Sequence, residues 1–171
     1  TGGNGTIKDD GTGDKFTFDP TTGAPSSSSG PGAGFDDDRV MAVSNVTVNE
    51  GSNYAVFTVT GVTGQKAHLS LTDASGDGGT DAAGNLADLR ASGTLPTIQY
   101  LSGTTWTNYD PSNPPSLPAG GLQVRVLITA EQDTPYDGPE TFKLVAANDG
   151  GVASTGGNGT IKDDGTGDKF T

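Results

Sequence analysis

The chain has 171 residues, 28 of them Gly and 10 Pro, with 30% hydrophobic and 6% aromatic side chains, a net charge of -12 and no cysteine. Its Leu, Ile, Val and Phe residues number only 31, below the roughly 20% at which a strongly charged chain can rely on apolar burial, and the lack of thiols excludes both disulfides and thiolate metal sites. No apolar run approaches the roughly 18 residues of a membrane span, and the charge opposes nucleic acid or an anionic bilayer as partner, which leaves hard cations held by carboxylates as a source of added stability.

Residues 1–17, TGGNGTIKDDGTGDKFT, recur letter for letter at 155–171. An offset of 154 residues is the size of a whole domain, so the repeat predicts a tandem array of near-identical units strung as beads rather than a solenoid with a shared core. Residues 1–17 are then the tail of a preceding unit and 165–171 the start of the linker to the next. The chain carries no signal peptide and starts and stops in mid-pattern, so the export signal is expected elsewhere in a longer protein. Residues 18–39, rich in Pro, Gly and Ser, read as a linker by composition. Phe16 and Phe18 alternate, which leaves open an extra edge strand there.

From 40 to 164 the chain reads as β throughout. Two-residue alternation marks strands at 46–49, 54–61, 66–72, 122–130, 141–147 and 158–162, with a weak one at 86–89 and an irregular one over Ile98–Leu101. Turn residues cluster between them, at Glu50-Gly51-Ser52-Asn53, Thr63-Gly64-Gln65, 73–84, 111–121 and 148–157. About seven antiparallel strands in this span predict an all-β, immunoglobulin-like antiparallel β-sandwich, monomeric as a single unit.

Strand parity then decides where the acids fall. In an up-and-down sandwich the loops after the first, third and fifth strands share one pole with the exit of the last. That pole receives Glu50; Asp73, Asp77, Asp81 and Asp88; Glu131, Asp133, Asp137 and Glu140; and Asp163 and Asp164. The loops of the other pole hold only Asp110 and Asp149. Carboxylates crowded at one end repel one another, and calcium, which takes about 6–8 oxygen ligands in flexible loop-built sites, removes that cost. Magnesium is less suited, because it keeps its waters and takes few carboxylates. Asp9, Asp10 and Asp14 in the tail, and Asp36, Asp37 and Asp38 ahead of the first strand, are further candidates for an ion that ties the linker to a domain.

The pattern Val46-Thr-Val-Asn-Glu50-Gly, then Glu131-Gln-Asp133-Thr-Pro-Tyr-Asp137-Gly-Pro-Glu140-Thr-Phe142, then Gly159-Thr-Ile-Lys-Asp163-Asp164, resembles the Calx-β motif, a calcium-binding immunoglobulin-like module. The resemblance implies Glu50, Asp133, Asp137, Glu140, Asp163 and Asp164 as calcium ligands, with Asp137 standing where glutamate is usual. The stretch from Leu101 through Trp106 to Val126 looks like repeats of giant bacterial adhesins of the RTX type. The likeness covers 40–164 and implies an extender domain on the bacterial cell surface, serving adhesion or biofilm formation.

Other motifs fall short. Gly2-Gly3-Asn4-Gly5-Thr6-Ile7 nearly begins a calcium β-roll nonapeptide, but isoleucine sits at the ligand position. Asp73 to Asp77 lacks the acid spacing of an EF-hand. His68 alternates onto the polar face of its strand, and no nucleophile, base and orienting group come together, so no enzyme is expected. Trp106, Tyr109 and Tyr100 suggest a sugar-stacking platform, although packing is the commoner role. Two functions follow: a calcium-stiffened structural spacer that projects a distal binding region, with identical neighbouring repeats as its partners, or a calcium-dependent carbohydrate- or partner-binding module.

Overall fold

The computed structural model describes residues 2–8, 10–29, 37–74, 95–129 and 138–171. Its strands, in chain order, are β1 (Asp14–Phe18), β2 (Pro25–Ser29), β3 (Ala42–Val43), β4 (Val46–Asn49), β5 (Tyr54–Thr60), β6 (His68–Asp73), β7 (Ile98–Ser102), β8 (Thr105–Asn108), β9 (Leu122–Leu127), β10 (Glu140–Ala147), β11 (Thr155–Gly156) and β12 (Asn158–Lys162). A four-stranded sheet in the order β4-β12-β10-β6 and a six-stranded sheet in the order β11-β3-β5-β9-β7-β8 form the sandwich, while β1 and β2 make a separate hairpin. No described helix is long and apolar enough to cross a membrane.

The sandwich forms because alternate residues of its central strands are apolar. In β5, Ala55, Phe57 and Val59 point inward, in β9 Leu122, Val124 and Val126, and in β10 Phe142, Leu144 and Ala146, all buried. Phe57 and Phe142 meet edge to face across the two sheets, ring centroids 5.8 Å apart, the offset geometry that aromatic quadrupoles favour. Gly159 makes room for this pair, since a β-carbon there would lie 2.6 Å from the Phe142 ring.

The expected strands at 46–49 and 158–162 are present with those bounds, and the others shift by one to three residues at their ends. The weak strand at 86–89 lies outside the described residues. Two features depart from a purely antiparallel scheme: β12 pairs β4 in parallel and β11 pairs β3 in parallel. Thr155–Gly156 belongs to one sheet and Asn158–Lys162 to the other, and the crossing is made at Gly156 and Gly157. Their positive φ angles of 72° and 89° suit glycine, and a β-carbon on Gly157 would stand 2.0 Å from the Leu144 carbonyl oxygen. The alternation at Phe16 and Phe18 does make a strand, but among the described residues it pairs only with β2.

Candidate functional site

The registers bring the acidic strand ends to one pole. Asn49 pairs with Lys162, Glu140 with Ile161, and Asp73 with Phe142, so Glu50, Asp73, Glu140 and Asp163 all stand at the same end of the four-stranded sheet. The six-stranded sheet contributes the same end through Tyr54 opposite Leu127 and Ile98 opposite Val126. Leu127 N–H donates to Thr97 O (3.1 Å) and Ile128 N–H to Asn53 O (3.1 Å). The described flanks of 75–94 and 130–137 therefore also stand at this pole, whereas Asp77, Asp81, Asp88, Asp133 and Asp137, with Glu131, lie outside the described residues.

Local hydrogen bonding sets the shape of this pole. Glu50 N–H donates to Lys162 O (3.0 Å), and the turn after β4 is closed by Ser52 N–H to Asn49 O (2.8 Å) and Gly51 N–H to Asn49 Oδ1 (2.9 Å). Pro139, Lys162, Asp163 and Asp164 line a small cleft, with Lys162 Nζ 3.8 Å from Asp164 Oδ2. The Asp164 carboxyl is held below the usual carboxylate range, first by the Thr166 hydroxyl and then by the Thr166 N–H that donate to it. The Asp163 and Asp164 carboxylates are the kind of oxygen ligand a hard cation takes, but Asp164 already has the Lys162 ammonium and the Thr166 N–H as partners. Among the described residues no three acidic or histidine side chains come close enough to hold an ion.

Asp10, Asp37 and Asp38 stand at the other pole, a placement that strand parity alone did not supply. Gln65, buried, donates from Nε2 to Arg39 O (2.7 Å) and Asp37 Oδ1 (3.2 Å) and accepts from Val62 N–H (2.7 Å). Asn148, also buried, donates to Arg39 O (3.4 Å). Arg39 forms an ion pair with Asp37 (2.7 Å) and donates to Asp10 O (3.0 Å). The Arg39 hydrogen bond depresses the Asp37 carboxyl, so this carboxylate already has a cationic partner. Asp38 Oδ1 is buried with no hydrogen-bond partner among the described residues, and Gly150 approaches that side chain. Asp9 and Asp36 lie outside the described residues. Of the tail and linker acids, Asp10, Asp37 and Asp38 thus gather about 37–39 rather than beside Glu50 and Asp163.

Arg39, Gln65, Asn148 and Ser52 shape the two poles through their hydrogen bonds, and sequence reasoning did not single them out. Each is a polar residue in a turn or linker, where polarity is the norm, so no local signal set them apart.

The aromatic residues are engaged within the fold. Tyr109 accepts a hydrogen bond from Leu69 N–H (3.0 Å). The Arg125 guanidinium lies 3.9 Å from the Tyr54 ring centroid and 4.4 Å from that of Trp106. His68 Nε2 sits 2.9 Å from Asp149 Oδ1, both side chains largely in water.

No protein-family model matches the chain, and no curated protein matches it. Among solved structures it is similar to the periplasmic chaperone SfaE, at 12% identity and a TM-score of 0.38, covering 73% of this chain and 58% of that one. It is also similar to a point mutant of the SrpA adhesin from Streptococcus sanguinis, at 15% identity and a TM-score of 0.37, covering 74% of this chain and 60% of that one. The chain therefore spans less than two thirds of either structure.

Proposed function

We propose that this chain is one unit of a tandem-repeat spacer in an exported bacterial surface adhesin, with calcium bound at the pole of Glu50, Glu140 and Asp163. The spacer reading is carried by the repeated segment. Residues 158–162 complete a sheet as β12 and bury Ile161 to 2% exposure, while the identical Ile7 is 100% exposed. A segment that fits as the last strand of a sandwich, and occurs again ahead of the first, is what a tandem arrangement generates. Each unit then supplies length, and the acid-rich pole supplies calcium-dependent stiffness by pinning the ends of β4, β10 and β12 together. The clustering of carboxylate-bearing strand ends supports calcium, and the engagement of Tyr109 and Trp106 within the fold gives no support to a sugar platform.

Thermal unfolding in calcium and in chelator tests the metal. With a dissociation constant of about 10⁻⁴ M, about 1 mM calcium adds about 1.4 kcal/mol per site, a visible rise in Tm. Glu50→Ala is expected to lose that rise and Asp149→Ala to keep it. Superimposable transitions with and without calcium would defeat the calcium reading. Small-angle scattering on a chain of four periods tests the spacer, which requires a maximum dimension that grows in proportion to the number of units.

A further inference from the structure

We propose that residues 164–171 join successive units by strand addition, one edge of the segment docking on β4 of the unit it ends and the other edge pairing with β2 of the next. The inference rests on the tandem reading above but not on calcium. The chain holds the joint segment twice, once against each neighbour, so each half of the joint is visible separately.

The two copies share one local conformation. Asp10 accepts from Thr12 N–H (3.0 Å) and Asp164 from Thr166 N–H (2.9 Å). The φ angles are 69° and 97° at Gly11 and Gly13, and 77° and 97° at Gly165 and Gly167. One copy can therefore stand for the other.

The downstream copy docks on its own sandwich. Asp168 N–H donates to Thr47 O (3.2 Å) and Asp168 O accepts from Asn49 N–H (2.8 Å), in a parallel bridge to Val48. Phe170 N–H donates to Ser52 Oγ (2.8 Å) and Phe170 O accepts from Asn53 N–H (2.8 Å). Asn49 Nδ2 donates to Thr166 O (3.1 Å). The residues that turn their backbone groups to the body are 168 and 170, alternating as in any strand.

The upstream copy pairs with β2 through the opposite phase. Asp19 N–H donates to Ala24 O (3.0 Å), and the register sets Phe18 opposite Pro25, Thr17 opposite Ser26 and Lys15 opposite Ser28. Hydrogen-bonded and non-hydrogen-bonded pairs alternate along an antiparallel ladder, so Lys15, Thr17 and Asp19 face β2. Asp14, Phe16 and Phe18 turn their backbone groups to the other edge, and Pro25, which has no N–H, sits opposite one of them. Asp14 and Phe16 are the counterparts of Asp168 and Phe170. The two halves of the joint therefore use opposite edges of one strand.

The side contacts are complementary as well. Gly11 is buried and Gly165 is exposed, whereas a β-carbon on Gly167 would stand 2.7 Å from Val48 C and one on Gly13 would meet nothing closer than 3.8 Å. Phe16 is 62% exposed and Phe170, docked, 36%. Arg39 holds the Asp10 carbonyl from the downstream side. With both sets of contacts made, the hairpin of the next unit extends the sheet to β2-β1-β4-β12-β10-β6 and covers an edge strand that would otherwise invite foreign pairing.

Amide hydrogen exchange by NMR on the chain lengthened at its C-terminus by one period tests this, in calcium and in chelator alike. In the 171-residue chain, the amides of 168 and 170, which donate to Thr47 O and Ser52 Oγ, are expected to be protected and those of 169 and 171 to exchange freely. In the longer chain all four are expected to slow, 169 and 171 by at least about tenfold. Asp168→Pro, which removes one donor to β4, is expected to release 170 while 169 and 171 keep their protection. Protection confined to one edge in the longer chain, or slow exchange that vanishes in chelator, would overturn the proposal. No bond between the joint segment and β4 or β2 uses a candidate calcium carboxylate, so failure of the calcium reading would leave this outcome unchanged.

Discussion

Residues 2–8 and 156–162 are the same seven amino acids, and only the second set is folded into the core. The first lies fully exposed along its length, and the second crosses from one sheet to the other and supplies β12. Immediately after them the copies converge: the Asp-Gly-Thr-Gly turn is alike at 10–13 and 164–167. The difference separates two kinds of structure. A β-strand is stabilised by its partners across the sheet and by burial of alternate side chains, so without a sandwich to complete, the segment forms no strand and stays solvated. The turn is stabilised by its own aspartate and glycines, so it forms at both places.

The largest expected effect lies at the isoleucines. Ile161→Ala removes a buried side chain from between the sheets and is expected to cost about 2–5 kcal/mol, whereas Ile7→Ala stays within about 0.5 kcal/mol. Urea denaturation of both variants checks this. A comparable loss at Ile7 would show that the upstream copy is packed in solution and would break the comparison.

Next come Gly159, beneath the aromatic pair, and its counterpart Gly5. Gly159→Ala forces a methyl group against the Phe142 ring and, at 3.1 Å, the Phe57 ring, an overpacking expected to cost about 1–3 kcal/mol. Gly5→Ala meets nothing within 4 Å and is expected to be silent. The aromatic side-chain signals of Phe57 and Phe142 should shift in the first variant and not in the second.

The same division explains what could be read from the amino acids. Strands β5, β9 and β10 were legible because each buries every second residue, a pattern that survives without knowledge of the partner. The convergence of Glu50, Glu140 and Asp163 was legible for the same reason, since parity follows from strand count. Parallel pairing of β12 with β4 was not, because the alternation of a strand is identical in either direction. Nor was the position of Asp37 and Asp38, which depends on Gln65 and Asn148 reaching back from turns that lie 28 and 110 residues or so along the chain. The Phe16–Phe18 alternation announced a strand without saying which neighbour it pairs with, and the two copies supply that neighbour from both sides.

Smaller still is the effect expected at the second glycine of each turn. Gly13 and Gly167 share a φ of 97°, so alanine brings the same backbone strain, about 1 kcal/mol, to both. Only at 167 does it also collide with Val48 and Asn49. Gly167→Ala is therefore expected to release the amides of Asp168 and Phe170 in hydrogen exchange, and Gly13→Ala to leave the sandwich untouched. Equal effects on the sandwich would mean that strain in the turn, rather than docking on β4, holds the segment in place.

The smallest effect is a titration that should fail to distinguish the copies. Asp10 and Asp164 are each depressed below the ordinary aspartate value, and the principal cause is the same in both: the hydroxyl and then the N–H of the threonine two residues on. Nearby cations add the same sign, Lys8 and Arg39 for Asp10 and Lys162 for Asp164. A carboxyl depressed in the folded turn stabilises that turn above its unfolded value and ceases to do so as pH falls through the folded one. Both turns should therefore persist at neutral pH and loosen together on acidification. The amide signals of Thr12 and Thr166, followed by NMR through the acid range, are expected to move in parallel with midpoints below that of an ordinary aspartate. A midpoint at the ordinary value for Asp10 alone would show that the turn depends on the docked tail at 168 and 170. The turn would then cease to be an autonomous element, and residues 10–16 could no longer stand for residues 164–170.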